Sequence, residues 1–370
     1  MALTDIDGQR LGDSVAPKLS NRNKIINGDM RIDQRNAGAS VTPSSGTTYT
    51  VDRWFYFASQ ASKFDVQQNA GSVTPPTGFE KYLGFTVAAA VTLSAGDYFL
   101  TAHRIEGFNV EELEWGTANA KSVTISFWVR SSLTGSFGAS VQNGASNRSY
   151  PFSYSISAAD TWEYKTVTIP GDTSGTWETG NAGSVTLWIG LGVGSTLSGT
   201  AGSWSGSDYR SVTGATSVVG TLAATFYITG VQLEVGNTAT PFERRSYGDE
   251  LARCQRYYKE VLAMNQSSNS TFFDSYYGGS NAVRVLDVNM DLMRSSPNLA
   301  IKNSDNAAQY YSYTGSWTNS TVTASAIGVW PDRQLFIFMS ADGDGRGKLC
   351  RRDDGTGGLG DMIATLSSEL

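Results

Sequence analysis

Two stretches of strict alternation between apolar and polar residues constrain the fold of this chain more than any other feature. Residues 123–129 carry one apolar face, made of Val123, Ile125, Phe127 and Val129. Residues 185–191 carry another, made of Val185, Leu187, Ile189 and Leu191. Successive side chains of a β-strand point to opposite faces, so each stretch predicts a strand with one face in a core.

The chain between residues 24 and 247 favours an all-β domain. Short alternating segments recur there between turn clusters such as 171–175 and 199–206, and glycine occurs 40 times in 370 residues. Such regular spacing is typical of a β-sandwich or barrel. The run 226–235 changes phase at Gly230, which predicts a β-bulge that lets both halves point inward.

One helix is predicted, and it connects two domains. Ser246 and Asp249 form a capping pair, and Leu251, Cys254 and Tyr258 follow at helical spacing. Beyond it, the predicted strands of a smaller domain are 272–277, 283–290, 310–317, 322–329 and 334–339. We therefore predict an arm at 1–23, a β-sandwich domain at 24–247, and a connecting helix with a small β-rich domain at 248–370.

The residue types exclude several classes of chemistry. His103 is the one histidine of the chain, so no zinc site with two histidines can form, and the Gly-x-Ser-x-Gly turn of serine hydrolases does not occur. Cys254 and Cys350 lie far apart in sequence, which favours two reduced thiols over a disulfide. We expect no metal, no cofactor, and a structural or surface role for His103.

Charge and hydropathy exclude two kinds of partner. The chain has 28 Lys and Arg against 34 Asp and Glu, a formal net charge of −6, so it lacks the basic balance typical of nucleic-acid binding. No run approaches the roughly 20 apolar residues that span a bilayer. We expect no nucleic-acid binding, no membrane insertion, and no secretory signal in residues 1–20.

Eight short motifs follow one another along the chain in a recognisable order. They are residues 23–30, 52–54, 104–107, 113–120, 126–129, 228–236 and 239–245, followed by 254–258. In order and spacing they resemble the jelly-roll module of bacteriophage tail fibres and related virion appendages. The closing strand at 228–236 is also similar to that of carbohydrate-binding modules with a jelly-roll fold.

The resemblance implies a jelly-roll β-sandwich in a virion protein that binds without catalysis. Residues 1–23 would anchor it to other virion proteins, and the chain would form a homotrimer, assembled in the host cytoplasm and carried on the virion. Its role would be that of a tail fibre or fibre-like appendage that attaches to a host surface glycan. Two alternatives stay open: a capsid or neck decoration protein or head fibre with a stabilising role, and a capsular polysaccharide depolymerase.

The polar faces of the two alternating strands supply the first candidate glycan site. The apolar face of a pyranose stacks on a flat indole while nearby polar groups bond its hydroxyls. Trp128 and Trp188 lie opposite the core-facing residues, with Thr124, Ser126 and Thr186 beside them. The alternative is that loops, a partner chain or the second domain cover these faces.

Three further tryptophans are candidates for receptor-facing loops. Trp162, Trp177 and Trp204 lie in or beside segments rich in Gly, Ser and Thr, where aromatic side chains can contact a receptor. The alternative is a loop plug that covers an open end of the sandwich.

An acidic run is the remaining candidate for chemistry. Glu111, Glu112 and Glu114 could supply the carboxylate pair of a glycosidase. A solvated charged loop is the simpler interpretation. We therefore predict that the chain is not an enzyme.

Overall fold

The computed structural model describes residues 21–264 and, beyond them, the separate strands given below. Residues 1–20 of the predicted arm lie outside the described part of the chain, as does Cys350. Contacts between Cα atoms divide the chain into two units, the first ending at Cys254 and the second covering Gln255–Glu369. The predicted boundary at 247/248 falls where the last helix of the first unit begins.

The described residues of the first unit form thirteen strands. In chain order they are β1 (Gly46–Tyr49), β2 (Trp54–Ala58), β3 (Phe64–Gln68), β4 (Leu83–Val87), β5 (Tyr98–Glu106), β6 (Val123–Ser131), β7 (Gly135–Asn143), β8 (Ser149–Ile156), β9 (Glu163–Ile169), β10 (Gly183–Val193), β11 (Ser198–Gly199), β12 (Ser211–Val212) and β13 (Thr225–Val235). Short 3₁₀ turns lie between them at Ala70–Ser72, Gly107–Asn109, Glu111–Leu113 and Ser195–Leu197.

Two antiparallel sheets contain most of these strands. The six-stranded sheet has the order β1-β2-β5-β10-β7-β8, and the five-stranded sheet has the order β3-β4-β13-β6-β9. The chain changes sheet six times between β2 and β10: after β2, β4, β5, β6, β8 and β9. Such repeated crossing between two sheets is typical of jelly-roll sandwiches. β11 and β12 form a short parallel pair outside the two sheets. The predicted all-β sandwich is confirmed.

The core lies between the two sheets and is built from the predicted alternating faces. All eight apolar residues of the two stretches, 123–129 in β6 and 185–191 in β10, are 0% exposed. They belong to one continuous cluster that also contains Trp54, Phe85 and Phe137. Burial of a large aliphatic or aromatic side chain contributes roughly 1.5–3 kcal/mol, so these eight side chains are a major source of the energy that holds the sheets together.

The predicted bulge lies at Gly230 in β13. The register between β13 and β6 shifts between Thr229 and Gln232, and Gly230 has φ +61°. Ile228 before the bulge and Val231 after it are both 0% exposed, so the extra residue lets both halves of β13 face the core. A Cβ at Gly230 would lie 2.6 Å from the ring of Phe79.

Replacing Gly230 by alanine should destabilise the sandwich for two reasons, a left-handed backbone and a steric clash. We expect Gly230→Ala to lower the free energy of unfolding by about 2–3 kcal/mol. Gly214→Ala is the control, because Gly214 has φ +80° but nothing within 4 Å of the added Cβ. Urea denaturation of both variants measures the effect. Equal losses would contradict a role for the Phe79 contact.

The helix α1 (Tyr247–Gln255) begins as predicted and ends earlier. The Ser246 hydroxyl donates to Asp249 Oδ2 at 2.7 Å and accepts the Asp249 N–H at 3.2 Å, which is the predicted cap. The predicted helical stripe through Tyr258 was wrong, because Tyr258 opens a strand. Aromatic and β-branched residues such as Tyr257, Tyr258 and Val261 favour extended backbone. In the described part of the chain, no helix is long and apolar enough to cross a membrane.

The second unit is β-rich, as predicted. Its strands are β14 (Tyr258–Met264), β15 (Ser275–Tyr276), β16 (Val283–Arg284), β17 (Asn298–Asn303), β18 (Tyr310–Tyr313), β19 (Trp317–Ser320), β20 (Ala324–Val329), β21 (Leu335–Met339) and β22 (Met362–Ser367). They form three sheets, in the orders β14-β22-β17, β15-β16-β21-β20 and β18-β19. The sequence patterns missed β14, β17 and β22.

A buried polar cluster joins the start of the described chain to its exit from the sandwich; we define it as Asn23, Asn27, Arg245 and Glu250. The Asn23 amide donates to Val231 O at 3.0 Å, and its Oδ1 accepts the N–H of Leu233 at 3.1 Å. Lys24 N–H donates to Leu233 O at 2.9 Å. Residues 23–28 therefore satisfy the backbone of β13 beyond the bulge, where β4 no longer pairs with it.

The other three members of the buried polar cluster hold the exit segment against the entry segment. Arg245 forms an ion pair with Glu250 at 3.1 Å and donates to Ile25 O at 3.1 Å and to Asn23 O. Glu250, which is only 3% exposed, accepts the N–H of Asn27. The Asn27 side chain donates to Asp52 O at 2.9 Å. Removing one partner of such a buried charge pair typically costs about 3–5 kcal/mol.

His103 lies in the middle of β5 and is 0% exposed, so the structural role is correct and the surface role is wrong. Its Nε2 lies 3.2 Å from Ile26 N and 3.1 Å from Ile26 O, and its ring packs against Trp54 at 5.3 Å. Burial, together with the nearby charges of Arg53 and Arg245, holds the pKa of His103 well below its usual value of 6.5. The imidazole is therefore neutral in the folded protein near neutral pH.

This neutral histidine makes stability depend on pH with a defined sign. The unfolded chain takes up a proton near pH 6.5 and the folded chain does not, so stability that is present above 6.5 is lost as the pH falls. We expect the free energy of unfolding to decrease by up to about 1.4 kcal/mol for each pH unit below 6.5. Urea denaturation over a pH series measures it.

The control for this prediction is His103→Gln, which should remove most of the slope. Because the chain has one histidine, the difference between wild type and variant isolates this group. If the variant does not fold, the histidine ring protons of the wild type provide a second measurement by NMR. A ring that titrates near its usual pKa in the folded protein would contradict the prediction.

Candidate functional site

Trp128 and Trp188 lie on opposite outer faces of the sandwich. Trp128 belongs to β6 in the five-stranded sheet, and Trp188 belongs to β10 in the six-stranded sheet. Both side chains point away from the shared core, so the two sheets separate them. Trp128 and Trp188 therefore do not form one candidate glycan site, and each face is described separately.

The face around Trp188 is closed by packing. Trp188 is 4% exposed and contacts the rings of Phe55 at 5.8 Å and Phe57 at 5.7 Å. The guanidinium of Arg210 lies 5.1 Å from its ring centre, and its Nε1 donates to Gln142 Oε1 at 2.9 Å. Thr186, in the same strand, is 3% exposed. Trp188 and Thr186 are thus covered side chains of a secondary cluster and offer no open platform.

The face around Trp128 is more open. Trp128 is half-buried, and its neighbour across the β6–β9 pair is Tyr164, which is 43% exposed, with ring centres 5.3 Å apart. On the other side, Trp128 and Phe79 both lie next to Gly230. A Cβ atom added to Gly230 would be 3.2 Å from Trp128 and 2.6 Å from Phe79. Phe79 in turn packs edge-on against Phe242 at 5.2 Å. We call Tyr164, Trp128, Phe79 and Phe242 the aromatic row.

Polar groups accompany the aromatic row at both ends. Thr166 and Thr168 follow Tyr164 on the outward side of β9 and are exposed. At the other end, the exposed side chain of Arg244 places its guanidinium 4.8 Å from the ring centre of Phe79. The row therefore combines apolar ring surface with hydroxyl donors and acceptors and one cation.

Thr124 and Ser126 do not line this accessible surface. Both face outward from β6 but are only 2% exposed. The segment after β13 covers this part of the sheet: Thr124 Oγ1 donates to Gly236 O at 2.9 Å, and Glu234 accepts the N–H of Thr240 at 2.8 Å. The accessible hydroxyls come from β9 instead. Alternation of Tyr164, Thr166 and Thr168 was the sequence signal that could have identified them.

The three loop tryptophans are held against the sandwich. Trp162 packs on Tyr82 at 5.5 Å and donates from Nε1 to Thr74 O at 2.9 Å. Trp177 and Trp204 meet Trp115, at 4.6 and 5.3 Å between ring centres, and Trp177 is 9% exposed. The packing of Trp177 and Trp204 agrees with the loop-plug alternative, whereas Trp162 belongs to a separate cluster with Tyr82 and Tyr227. The contribution of Trp115 was missed because it directly follows the acidic run 111–114.

The acidic run is a solvated loop with ion pairs. Glu111 and Glu112 are exposed, Glu112 pairs with Lys24, and Glu114 pairs with Lys121 at 2.8 Å. The hydrogen bond and charge of Lys121 lower the pKa of Glu114, whereas a general acid of a glycosidase needs a raised pKa. Among the residues that the structure describes, no group of three or more His, Cys, Asp and Glu could hold a metal ion.

Comparisons with solved structures find weak similarities. The enzymatically active domain of tailspike protein 4 from bacteriophage CBA120 is 11% identical with a TM-score of 0.29, covering 58% of this chain and 21% of the tailspike chain. A family 11 carbohydrate-binding module of a cellulosomal cellulase from Clostridium thermocellum is 13% identical with a TM-score of 0.27, covering 53% of this chain and 99% of the module.

A tandem carbohydrate-binding module from a Paenibacillus barcinonensis protein is similar over more of the chain. It is 10% identical with a TM-score of 0.26, covering 91% of this chain and 92% of that one. At such TM-scores these similarities carry no weight for function. The chain matches no protein-family model and no curated protein.

The two outer faces should differ in what their aromatic residues contribute to stability. We expect Trp188→Ala to lower the free energy of unfolding by about 3–5 kcal/mol, because its ring is packed on all sides. Tyr164→Ala should cost below about 1 kcal/mol, because its ring is largely exposed. Urea denaturation of the two variants measures the difference. Similar costs would show that the Tyr164 face is also closed.

Proposed function

We propose that this chain binds a glycan on the aromatic row of the five-stranded sheet. The observation that carries the proposal is the pairing of half-buried Trp128 with exposed Tyr164 on a sheet face flanked by the exposed residues Thr166 and Thr168. Exposed aromatic rings on a rigid sheet cost little side-chain entropy to order and provide apolar area for a sugar ring. The adjacent hydroxyls would bond the sugar hydroxyls.

The biological setting that we propose is the surface of a bacteriophage. The chain would be a virion structural protein, a tail fibre or fibre-like appendage that binds a host surface glycan during attachment, without catalysis. The support is the ordered set of motifs that resembles tail-fibre modules. In the structure several of these motifs, among them 23–30, 228–236 and 239–245, meet around the buried polar cluster, so the resemblance lies in the framework of the domain.

Oligomerisation would strengthen such binding. We propose a homotrimer anchored through residues 1–23, by analogy with the resembling fibres. Three equivalent sites on one appendage convert weak single-site binding into avidity, which can exceed the affinity of one site by about 10²–10⁴. Sedimentation velocity of the purified full chain tests the trimer, and a monomer at micromolar concentration would contradict it.

The binding test uses host surface polysaccharide and a glycan array with matched variants. We expect Trp128→Ala and Tyr164→Ala each to weaken binding by about tenfold, equivalent to about 1.4 kcal/mol. Phe108→Ala is the control, because Phe108 is 57% exposed but lies outside the aromatic row. Binding that is unchanged in both row variants would remove this face from the site.

Two further observations would overturn other parts of the proposal. Shortening of the polysaccharide during incubation with pure protein would contradict the absence of catalysis. Antibody labelling of particles by electron microscopy should mark the tail, and labelling confined to the head would favour a decoration protein instead.

A further inference from the structure

A cavity of about 230 Å³ lies between the segment 110–117 and the segment 177–185. It shares no lining residue with the aromatic row. Leu113, Trp115, Trp177 and Val185 contribute its apolar lining. Pockets for drug-sized ligands span about 300–1,000 Å³, so this cavity suits a small head group and not an oligosaccharide.

The two indoles that line this cavity use their N–H groups elsewhere. Trp115 Nε1 donates to Lys121 O at 2.7 Å, and Trp177 Nε1 donates to Ser174 O at 3.3 Å, so both N–H groups are already satisfied by backbone. The ring centres lie 4.6 Å apart at 74°, an edge-to-face contact, and both rings border the cavity. Aromatic walls of this kind attract a cation through the negative charge of the ring face.

Carboxylates line the cavity beside the indoles. Glu111, Glu114 and Glu178 all contribute to it, and Glu111 and Glu178 are exposed, so they lie toward its mouth. Lys121 pairs with Glu114. Glu111 and Glu178 form no ion pair with any residue in the described part of the chain. The cavity is therefore net negative, which disfavours anions and favours a positively charged guest.

Hydrogen bonds fix the walls of the cavity before any ligand arrives. Gly116 N–H donates to Asp172 O at 2.7 Å, and Arg148 holds the Asp172 carboxylate with two hydrogen bonds of 2.8 and 2.6 Å. Phe108 N–H donates to Gly180 O at 3.0 Å on the other side. A preformed cavity spends little binding energy on ordering its own loops.

We propose that this cavity binds an organic ammonium group, with the cation against Trp115 and Trp177 and balanced by Glu111 and Glu178. The same chemistry is carried by quaternary ammonium compounds such as choline and by the protonated amine of an amino sugar. The site is separate from the aromatic row and does not depend on the function proposed for that row.

The test follows the indole N–H signals of Trp115 and Trp177 by NMR while choline or glucosamine is added to the full chain. Each cation is compared with a neutral relative of similar shape, 3,3-dimethylbutan-1-ol for choline and N-acetylglucosamine for glucosamine. We expect Kd values of about 1–10 mM for at least one cation, and binding at least about tenfold weaker for its neutral relative. The cation that binds identifies the source of the ammonium group.

Matched charge variants complete the experiment. Glu111→Gln and Glu178→Gln change exposed side chains and should each weaken binding of the cation about two- to fivefold. Glu112→Gln is the control, because Glu112 lies in the same 3₁₀ turn but does not line this cavity. Trp128→Ala should leave the affinity unchanged, which separates this site from the aromatic row.

Three results would overturn the proposal. Equal affinity for a cation and its neutral relative would leave only an apolar cavity. Equal effects of the Glu112 and Glu111 variants would assign the attraction to general surface charge. No shift of either indole signal with choline or glucosamine in the millimolar range would mean that the cavity does not bind ammonium groups.

Discussion

The buried polar cluster is the interaction on which the rest of the sandwich depends. β13 lies at the centre of the five-stranded sheet, and beyond its bulge residues 23–28 hydrogen-bond to one edge of its backbone in place of β4. The Asn23 side chain hydrogen-bonds to the backbone of this edge. Arg245 and Glu250 in turn hydrogen-bond to the backbone of Asn23 and Asn27 in the entry segment. Unsatisfied backbone groups at this depth would cost about 1–3 kcal/mol each, so the sheet and the cluster require one another.

The tryptophans of the sandwich show how one residue type serves different purposes in one fold. Trp54 is a core residue that also donates to Asn27 O, and Trp188 belongs to a closed cluster on one outer face. Trp115, Trp177 and Trp204 seal an end of the sandwich. Trp128 is the member that stays half-open beside an exposed tyrosine. Exposure and neighbours, rather than residue type, therefore decide which ring can meet a ligand.

The sequence was sufficient for features that depend on local periodicity. Alternation in β6 and β10, the phase change at Gly230 and the cap at Ser246 were all predicted, because each depends on residues within a few positions of one another.

The sequence did not predict which residues cover the outer face of each sheet. Trp188 and Trp128 have the same pattern in sequence, yet Arg210 and Gln142 close one face, and the segment after β13 only partly covers the other. Such contacts connect residues far apart in the chain, and alternation carries no information about them. Likewise, Tyr258 was assigned to the helix because it lies four residues after Cys254, whereas it is the first residue of β14.

The shared corner of residues 23–28 and 245–250 has a mechanical consequence. When a domain is pulled through its two ends, the load follows the shortest connection between the points of attachment. In this sandwich that connection passes through Asn23, Asn27, Arg245 and Glu250 and not along the strands. Tension between the entry and exit segments would therefore load this corner first.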